Sequence, residues 1–447
     1  MFRKILIANR GEIAVRIIRA CKQLGVKTVA IYSEADKESL HTKLADEKIC
    51  IGGAQSCNSY LDMEAIISAA IGTNADAIHP GFGFLSENDR FAEKCHICNI
   101  KFIGPSIEVI KKMGDKIAAR SKMSSEGITV IPGTNEPVIK IEDAEKKAKE
   151  IGFPVVLKAA SGGGGKGMRV VKSVKELHDC FAIAQLEAQN SFKDKRMYLE
   201  KYMEKSCHIE FQILADQYGN VLHLGERDCS IQRHHQKLIE EAPSTYINEN
   251  LRKQMGEVAV KVAKVIKYEG AGTVEFLLDE SRKFYFMEMN TRIQVEHGIT
   301  EMLTGIDIVK EQIRIAAGYE LNIKQNAIRI TGHAIECRIN AEDPENNFIP
   351  CPGQISKLHF PGGNGVRIDS AIYHNYVIPP YYDSMLAKIM VYDKDRKSAI
   401  EKMKNVLSEL VISGVKTNLN FQYIIISSPD FEKGNVKTDF IEKIIEG

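Results

Sequence analysis

The sequence predicts a multidomain protein of mixed α/β and α+β class, with a doubly wound parallel sheet at the N-terminus, a small α+β unit after it and antiparallel sheet towards the C-terminus. Short apolar strands alternate with helix-period segments over roughly the first hundred residues, which is typical of a parallel sheet covered by helices. β-type runs dominate as far as residue 392, and helical patterns follow to the end. The 447 residues are too many for a single core.

The N-terminal unit is predicted from its short strands and helices. The apolar strands are residues 5–8, 27–32, 75–78 and 101–103, and the helices are residues 12–24 and 63–70. The first turn between strand and helix, residues 9–12, contains only Gly11. A dinucleotide-binding fingerprint needs three glycines at this turn, so a nicotinamide-binding domain is disfavoured.

The second unit follows a polar stretch, residues 106–126, that is predicted to be helical. A proline and a glycine at residues 132–133 mark the boundary after it. The small α+β unit is then predicted from residue 134 to residue 204. No internal repeat and no low-complexity segment interrupts the chain.

A glycine-rich loop distinguishes this small unit. A strand that ends in Lys158 is followed by residues 161–169, which include four consecutive glycines. A Walker A loop is excluded, because Ala160 and Gly167 stand where that motif needs glycine and Ser or Thr. A flexible hairpin tip is the alternative, but the basic residues on both sides favour a lid whose backbone N–H groups bind phosphate.

A predicted β-hairpin places two glutamates opposite each other. Its two strands and the turn between them are residues 273–278, 284–290 and 279–283. A hairpin centred just after Ser281 pairs Glu275 with Glu288, at about 4.5–5.5 Å. Two carboxylates so close need a cation, and Mg²⁺ or Mn²⁺ suits an oxygen-rich site to which Asn290, on the same face, is a further candidate ligand. Alternatively, one glutamate reaches solvent at the sheet edge.

Two charged residues follow this hairpin. Arg292 offers a fork-shaped guanidinium for a planar oxyanion such as bicarbonate. Glu296 is a carboxylate near enough to act as a base. A plain salt bridge between Arg292 and Glu296 is the alternative, and the residues alone leave both interpretations open.

A basic segment, residues 229–237, is predicted to be extended. In an extended chain Arg233, His235 and Lys237 share one face, which could hold phosphate and bicarbonate together. A solvated edge strand is the alternative. Zinc binding by His234 and its neighbour is disfavoured, because adjacent strand residues point apart.

Composition excludes several classes of function. The formal net charge of +1 gives no reason to expect nucleic acid, no apolar run is long enough to span a membrane, and no signal peptide precedes the first strand, so a cytoplasmic protein is expected. The ten cysteines have no disulfide framework spacing. Cys95 and Cys98 form one CxxC without a second pair, so free thiols are favoured over structural zinc.

Together these segments resemble the biotin carboxylases, members of the ATP-grasp superfamily, over essentially the whole chain. The matching segments are residues 7–14, 79–88, 161–169, 225–232 and 288–297. The resemblance implies an N-terminal Rossmann-like (pre-ATP-grasp) domain, an ATP-grasp lid domain with its helical linker, an ATP-grasp central domain with the metal and bicarbonate site, and a C-terminal biotin carboxylase domain. Their implied bounds are 1–114, 115–204, 205–330 and 331–447.

The resemblance also implies the role of each site residue. The implied ATP contacts are Lys116, Lys158, Gly164, Gly165, Glu200, Lys201, Tyr202, Met203, His208, Gln232, His235, Glu275 and Glu288. The implied metal ligands are Glu275, Glu288 and Asn290. The implied bicarbonate pocket is Lys237, Arg292, Gln294 and Val295. Glu296 is the implied general base, and Arg338 the group that faces biotin.

The implied activity is the carboxylation of biotin on a biotin carboxyl carrier protein, with MgATP (or MnATP) and bicarbonate and through carboxyphosphate. This is the first half-reaction of acetyl-CoA carboxylase, which makes malonyl-CoA for fatty acid synthesis. A separate carrier and separate carboxyltransferase subunits are expected, because the chain has no Ala-Met-Lys-Met biotinylation motif. The resemblance also implies a homodimer.

Three alternatives stay open: a subunit of a split pyruvate, propionyl-CoA or methylcrotonyl-CoA carboxylase, another ATP-grasp ligase, or an inactive nucleotide-binding regulator. Three residues depart from the family pattern. Phe82 replaces a tyrosine, His234 an arginine and Gly298 a proline.

Overall fold

The computed structural model describes residues 1–161 and 168–446, and its N-terminal unit is built on a parallel sheet. The elements are β1 (Lys4–Ile7), α1 (Gly11–Gln23), β2 (Lys27–Tyr32), α2 (Leu40–Leu44), β3 (Glu47–Cys50), α3 (Met63–Gly72), β4 (Ala77–His79), α4 (Asp89–Ile97), β5 (Lys101–Phe102) and α5 (Ile107–Gly114). The strands run in the order β3-β2-β1-β4-β5, and all neighbours are parallel. The predicted doubly wound sheet is confirmed.

The helical stretch predicted over residues 106–126 is two helices. α5 ends at Gly114, and a second helix, α6 (Lys116–Ser125), begins two residues later. Asp115 separates them, because its side chain accepts hydrogen bonds from the N–H groups of Ile117 and Ala118 and so caps α6. Lys116 is therefore the first residue of α6.

The small unit contains a three-stranded antiparallel sheet. Its elements are α7 (Ile141–Ile151), β6 (Val155–Ala159), β7 (Arg169–Val171), α8 (Val174–Phe192) and β8 (Met197–Lys201). β6 is the central strand, and it pairs with β7 and β8. Gly164 and Gly165 lie outside the described residues, so the predicted phosphate lid stays a prediction.

The rest of the chain is organised on one eight-stranded antiparallel sheet. Its first elements are β9 (Cys207–Ala215), β10 (Val221–Arg233), β11 (Gln236–Ala242), α9 (Glu249–Val265), β12 (Gly270–Leu278), β13 (Phe284–Asn290), α10 (His297–Thr304) and α11 (Ile308–Ala316). The later ones are β14 (His333–Asn340), β15 (Glu342–Asp343), β16 (Ile349–Pro350), β17 (Gly353–Gln354), β18 (Lys357–His359), β19 (Val366–Ser370), β20 (Val377–Ile378), β21 (Met385–Asp393), α12 (Arg396–Glu409), β22 (Val411–Ser413), α13 (Leu419–Ile426), α14 (Pro429–Glu432) and α15 (Phe440–Glu446).

The strand order β13-β12-β9-β10-β11-β14-β21-β19 joins the third and fourth predicted units. The boundary expected at residue 330 therefore falls between strands of one sheet. The predicted domain bounds stay predictions. Within the described ranges, no helix is both long enough and apolar enough to cross a bilayer.

Alternation along β9 explains how the sheet separates its core from a polar face. Ile209 and Phe211 are fully buried and pack with α9 in one apolar cluster. The residues between and beside them, His208, Glu210 and Gln212, are polar and point to the opposite face. On that face a carboxylate oxygen of Glu210 lies within 4.8 Å of one from Glu296, in the segment that joins β13 to α10.

Candidate active site

A cavity of about 850 Å³ lies where the N-terminal unit, the small unit and the eight-stranded sheet meet. Every predicted site residue within the described ranges lines it: Lys116, Lys158, Glu200, Lys201, Tyr202, Met203, His208, Gln232, His235, Lys237, Glu275, Glu288, Asn290, Arg292, Gln294, Val295, Glu296 and Arg338. Residues far apart in the chain thus share one concave site, which is the usual form of a small-molecule site.

The predicted glutamate pair is present in the hairpin of β12 and β13. Glu275 lies directly opposite Glu288. Nearer the turn, however, Phe276 pairs with Phe286, so Met287 is an extra residue and forms a β-bulge. A regular hairpin with that turn would place Met287 opposite Glu275. The predicted pairing therefore comes from the bulge and not from a regular hairpin.

Glu275 is held by four donors. Its Oε1 accepts hydrogen bonds from Asn290 Nδ2 at 2.7 Å, Gln294 Nε2 at 2.8 Å and Lys237 Nζ at 3.2 Å, and its Oε2 lies 2.9 Å from His208 Nε2. Burial alone would raise the pKa of Glu275, but Lys237 and His208 hold it well below its usual range. The carboxylate is therefore ionised at neutral pH.

The acidic residues around Glu275 fit a divalent cation. Glu275, Glu210 and His208 bring ligand atoms within 4.8 Å of one another. Glu288 is paired with Lys116, whose Nζ lies 2.9 Å from its Oε2. Carboxylate oxygens of this kind suit Mg²⁺ or Mn²⁺ better than softer metals.

Asn290 is oriented differently from a metal ligand. Its amide nitrogen donates to Glu275, and its Oδ1 accepts from Arg292 Nη2 at 3.2 Å. With this orientation it connects the acidic pair to the arginine. Metal binding by its oxygen would need the amide to turn, and that role stays a prediction.

Glu296 lies between two cations. Lys237 Nζ donates to its Oε1 at 2.6 Å, and Arg338 Nη2 donates to its Oε2 at 2.9 Å. Burial would raise the pKa of Glu296, but the charges of Lys237 and Arg338 lower it well below the ordinary value. Glu296 is thus deprotonated at neutral pH.

Arg292 does not form the salt bridge with Glu296 that was the alternative interpretation. Its Nε donates to Glu87 Oε2 at 3.0 Å, and its Nη1 donates to Gln294 Oε1 at 2.6 Å. With the contact to Asn290 Oδ1, these bonds fix the plane of the guanidinium beside the cavity. A fixed planar fork is suited to a planar oxyanion.

The basic segment is extended as predicted only as far as Arg233, and the prediction of one extended strand over residues 229–237 is wrong. β10 ends at Arg233, and the chain reverses through His234 and His235, with φ of 49° and 64°, before β11. Two consecutive positive φ values are typical of the two-residue hairpin turn. Arg233 consequently packs on Phe348, with its guanidinium carbon 4.1 Å from the ring centroid. It does not share a face with Lys237, which pairs with Gln232 instead.

The far end of the cavity is lined by β6 and β8. Lys158 Nζ donates to Glu200 Oε2 at 2.5 Å, while Arg120 Nη1 donates to Glu200 Oε1 at 3.0 Å. Lys201 Nζ donates to the carbonyls of Gly152 and Phe153. Lys158 therefore carries its charge into the cavity, whereas the ammonium of Lys201 binds backbone.

Sequence reasoning missed three residues that hold the predicted ones. Glu210 accepts from Lys237 Nζ at 2.6 Å, and the fully buried Arg227 Nε donates to Glu210 at 2.6 Å. Glu87 holds Arg292 from the N-terminal unit. The polar–apolar alternation of β9 was the available signal for Glu210, because its polar residues lie on one face. No local signal pairs Glu87 with a residue 205 positions away.

Comparison with known proteins agrees with this arrangement. Three family models match the chain: the biotin carboxylase N-terminal domain at residues 1–110, the ATP-binding domain of the carbamoyl-phosphate synthase L chain at 115–324, and the biotin carboxylase C-terminal domain at 336–443. A biotin carboxylase of Nostoc sp. is 54% identical over 443 residues, which cover 99% of both chains. A pyruvate carboxylase subunit of Methanothermobacter thermautotrophicus is 53% identical over 447 residues, covering 100% of this chain and 91% of that one.

A solved structure extends the likeness to the whole fold. The biotin carboxylase domain dimer of Hydrogenobacter thermophilus 2-oxoglutarate carboxylase, in complex with MgADP, ADP and bicarbonate, superposes with a TM-score of 0.98. It is 48% identical, and the match covers 100% of this chain and 98% of that chain. The chain therefore belongs to the biotin carboxylase family of ATP-dependent ligases, with the ATP-grasp fold.

Proposed function

We propose that this chain uses MgATP and bicarbonate to carboxylate biotin on a biotin carboxyl carrier protein. The observation that carries the proposal is the carboxylate of Glu296, which Lys237 and Arg338 hold in the same cavity as the Glu275–Glu288 pair. A base, an oxyanion pocket and an acidic cation site in one concavity suit the activation of bicarbonate by ATP. The relative from H. thermophilus, in complex with MgADP and bicarbonate, supports the same ligands here.

In the proposed first step Glu296 removes the proton of bicarbonate, and a bicarbonate oxygen attacks the γ-phosphoryl group of ATP. The new O–P bond gives carboxyphosphate, and the bond to the bridging oxygen breaks to release ADP. Lys237 and Arg292 lie on the cavity wall beside Glu296 and would bind the bicarbonate oxygens. Lys116 and Lys158 would neutralise the charge on the transferred phosphoryl group. When bound at Glu275 and Glu288, Mg²⁺ would supply further charge neutralisation for the ATP phosphates.

In the proposed second step carboxyphosphate gives CO₂ and phosphate. The phosphate takes the ureido proton of biotin, and the resulting enolate attacks CO₂. Arg338 would stabilise this enolate, because its guanidinium reaches into the cavity where Glu296 ends.

We place the chain in an acetyl-CoA carboxylase, with a separate carrier, separate carboxyltransferase subunits, a homodimeric state and a cytoplasmic location. The Nostoc relative named biotin carboxylase favours the acetyl-CoA carboxylase assignment. The dimer from H. thermophilus, a domain of a 2-oxoglutarate carboxylase, favours the homodimeric state only. The pyruvate carboxylase subunit from M. thermautotrophicus, nearly as similar, favours the alternative of a split pyruvate carboxylase.

Hydrolysis of ATP by the purified chain tests the activity. We expect phosphate release with Mg²⁺ to require bicarbonate and to rise further when free biotin is added, with carboxybiotin as the product. Ammonia-dependent turnover would instead indicate a ligase of the carbamoyl-phosphate kind. Nucleotide binding without turnover would indicate an inactive regulator.

Glu288→Gln should lower kcat of this reaction by at least about 10-fold and raise the Mg²⁺ concentration needed for half-maximal rate, because an amide is a weaker ligand than a carboxylate. Titration of the ATPase rate with Mg²⁺ measures both effects. Glu280→Gln, in the turn of the same hairpin and paired only with Lys437 within the described ranges, is the matched control. An unchanged Mg²⁺ dependence in Glu288→Gln would remove this residue from the proposed metal site.

A further inference from the structure

Lys388 is a fully buried lysine in the middle of β21. Its neighbours Ala387 and Ile389 are also fully buried, and the strand is otherwise apolar from Met385 to Val391. A buried ammonium is strongly unfavourable unless it is paired and hydrogen-bonded. No role was predicted for this residue, although a lone lysine in an apolar strand is a signal that the sequence carries.

The ammonium of Lys388 connects three parts of the molecule. Its Nζ donates to the backbone carbonyl of Val295 at 2.7 Å. The same atom lies 3.2 Å from Oε1 of Glu12 in α1 and 3.9 Å from Oδ2 of Asp369 in β19. The Lys388 ammonium therefore contacts the segment that precedes α10, the N-terminal unit and the end of the large sheet.

The sheet register places Lys388 beside the group proposed to face biotin. Lys388 pairs directly with Arg338 across β14 and β21, and with Asp369 across β21 and β19. Paired residues of adjacent antiparallel strands project from the same face. The two cations take different partners in the segment before α10: Arg338 binds the side chain of Glu296, and Lys388 binds the peptide bond that leads into Glu296.

We propose that Lys388 is a positioning residue that fixes the Val295–Glu296 peptide and thereby sets where the carboxylate of Glu296 lies. The inference rests on the proposed function of Glu296 as the base. Glu296 is then held at its side chain by Lys237 and Arg338 and at its backbone by Lys388. Glu12 balances the charge of Lys388 and ties this arrangement to the turn after β1, which also lines the cavity.

Two variants distinguish a role of Lys388 in positioning Glu296 from a role in neutralising the charge of Glu12. Lys388→Met removes the donor but leaves Glu12 buried without its cation, which can destabilise the fold. Lys388→Met/Glu12→Gln removes both charges and still leaves the Val295 carbonyl without its donor. Lys402→Met is the matched control, because Lys402 Nζ also donates to a backbone carbonyl, that of Tyr392 at 2.7 Å, but outside the cavity.

The measurements are steady-state ATP hydrolysis with bicarbonate or ATP varied, and thermal unfolding of each variant. We expect kcat/KM for bicarbonate to fall at least about 20-fold in both Lys388 variants while KM for ATP changes less than about twofold, because a displaced base slows chemistry without weakening nucleotide binding. The double variant should keep this defect although its unfolding temperature lies above that of Lys388→Met. Lys402→Met should match wild type in both kinetic constants.

Recovery of wild-type kcat/KM in the double variant would overturn the inference, since Lys388 would then only neutralise Glu12. A parallel loss for ATP and bicarbonate, or failure of both variants to fold, would assign Lys388 to the fold alone and would also overturn it. The proposed function is tested separately, by bicarbonate-dependent ATP hydrolysis of the wild-type protein. Bicarbonate-dependent turnover in wild type with unchanged Lys388 variants refutes only the positioning role.

Discussion

Glu296→Gln should lower kcat for bicarbonate-dependent ATP hydrolysis and for biotin carboxylation by at least about 100-fold, which corresponds to about 2.7 kcal/mol of activation free energy. Glutamine preserves the shape of the side chain but cannot accept a proton as a carboxylate does. Nucleotide binding should persist, because the described contacts of Glu296 are with Lys237, Arg338 and the Cys229 thiol and not with Lys116 or Lys158. Single-turnover kinetics and isothermal titration with ADP measure the two properties.

A buried carboxylate outside the cavity controls for the loss of a buried charge. Glu241 is buried and accepts from His333 Nε2 at 2.8 Å and from Arg396 Nε at 2.6 Å. Glu241→Gln should lower the unfolding temperature but keep kcat within about twofold of wild type. If Glu296→Gln retains near wild-type turnover, Glu296 is not the base and the mechanism proposed for this cavity is wrong.

The sequence predicts the N-terminal sheet well because its signals are local. Strands such as residues 27–32 alternate with helices over short spans, and the structure has β2 at the same residues. The division at Asp115 was missed, since an aspartate inside a polar helical stretch does not show from periodicity that it caps a new helix.

Hydrophobic periodicity could not predict the local irregularities of the strands. The β-bulge at Met287 depends on how both strands of the hairpin pack, and nothing in an apolar run such as β13 marks it. The turn at His234 and His235 was missed because it lacks the glycine or asparagine that usually signals positive φ. The candidate site residues were nevertheless found, because the family resemblance supplied positions that spacing alone left open.

The sequence also does not show which distant residue packs against a given position. Gly298 stands where the family commonly has proline, and a Cβ at this position would lie 2.3 Å from Sδ of Met390 in β21. Met390 thus fills the space beside Gly298, so a larger residue there requires the methionine to move. The contacts of Glu87 and Glu210 with the site are likewise tertiary: they follow from docking of the N-terminal unit and from sheet register.

Arg292→Lys should lower kcat/KM for bicarbonate by at least about 100-fold while KM for ATP changes less than about threefold. A lysine keeps the positive charge but loses the planar fork and its bonds to Glu87, Gln294 and Asn290. The effect should therefore fall on the oxyanion and not on the nucleotide. Initial rates at varied bicarbonate and saturating ATP measure it, and Arg314→Lys, whose Nε lies 3.4 Å from Glu311 on α11, is the control.

Glu87→Gln tests whether the orientation of the Arg292 guanidinium matters apart from its charge. It weakens the bond to Arg292 Nε but leaves the guanidinium and its bonds to Gln294 and Asn290, so an intermediate loss of about 10-fold in kcat/KM for bicarbonate is expected. If the fixed plane of the guanidinium recognises bicarbonate, the order of activity must be wild type, then Glu87→Gln, then Arg292→Lys. Equal losses for ATP and bicarbonate in Arg292→Lys would instead make Arg292 a support of the whole cavity, and the oxyanion pocket would have to be sought around Lys237 alone.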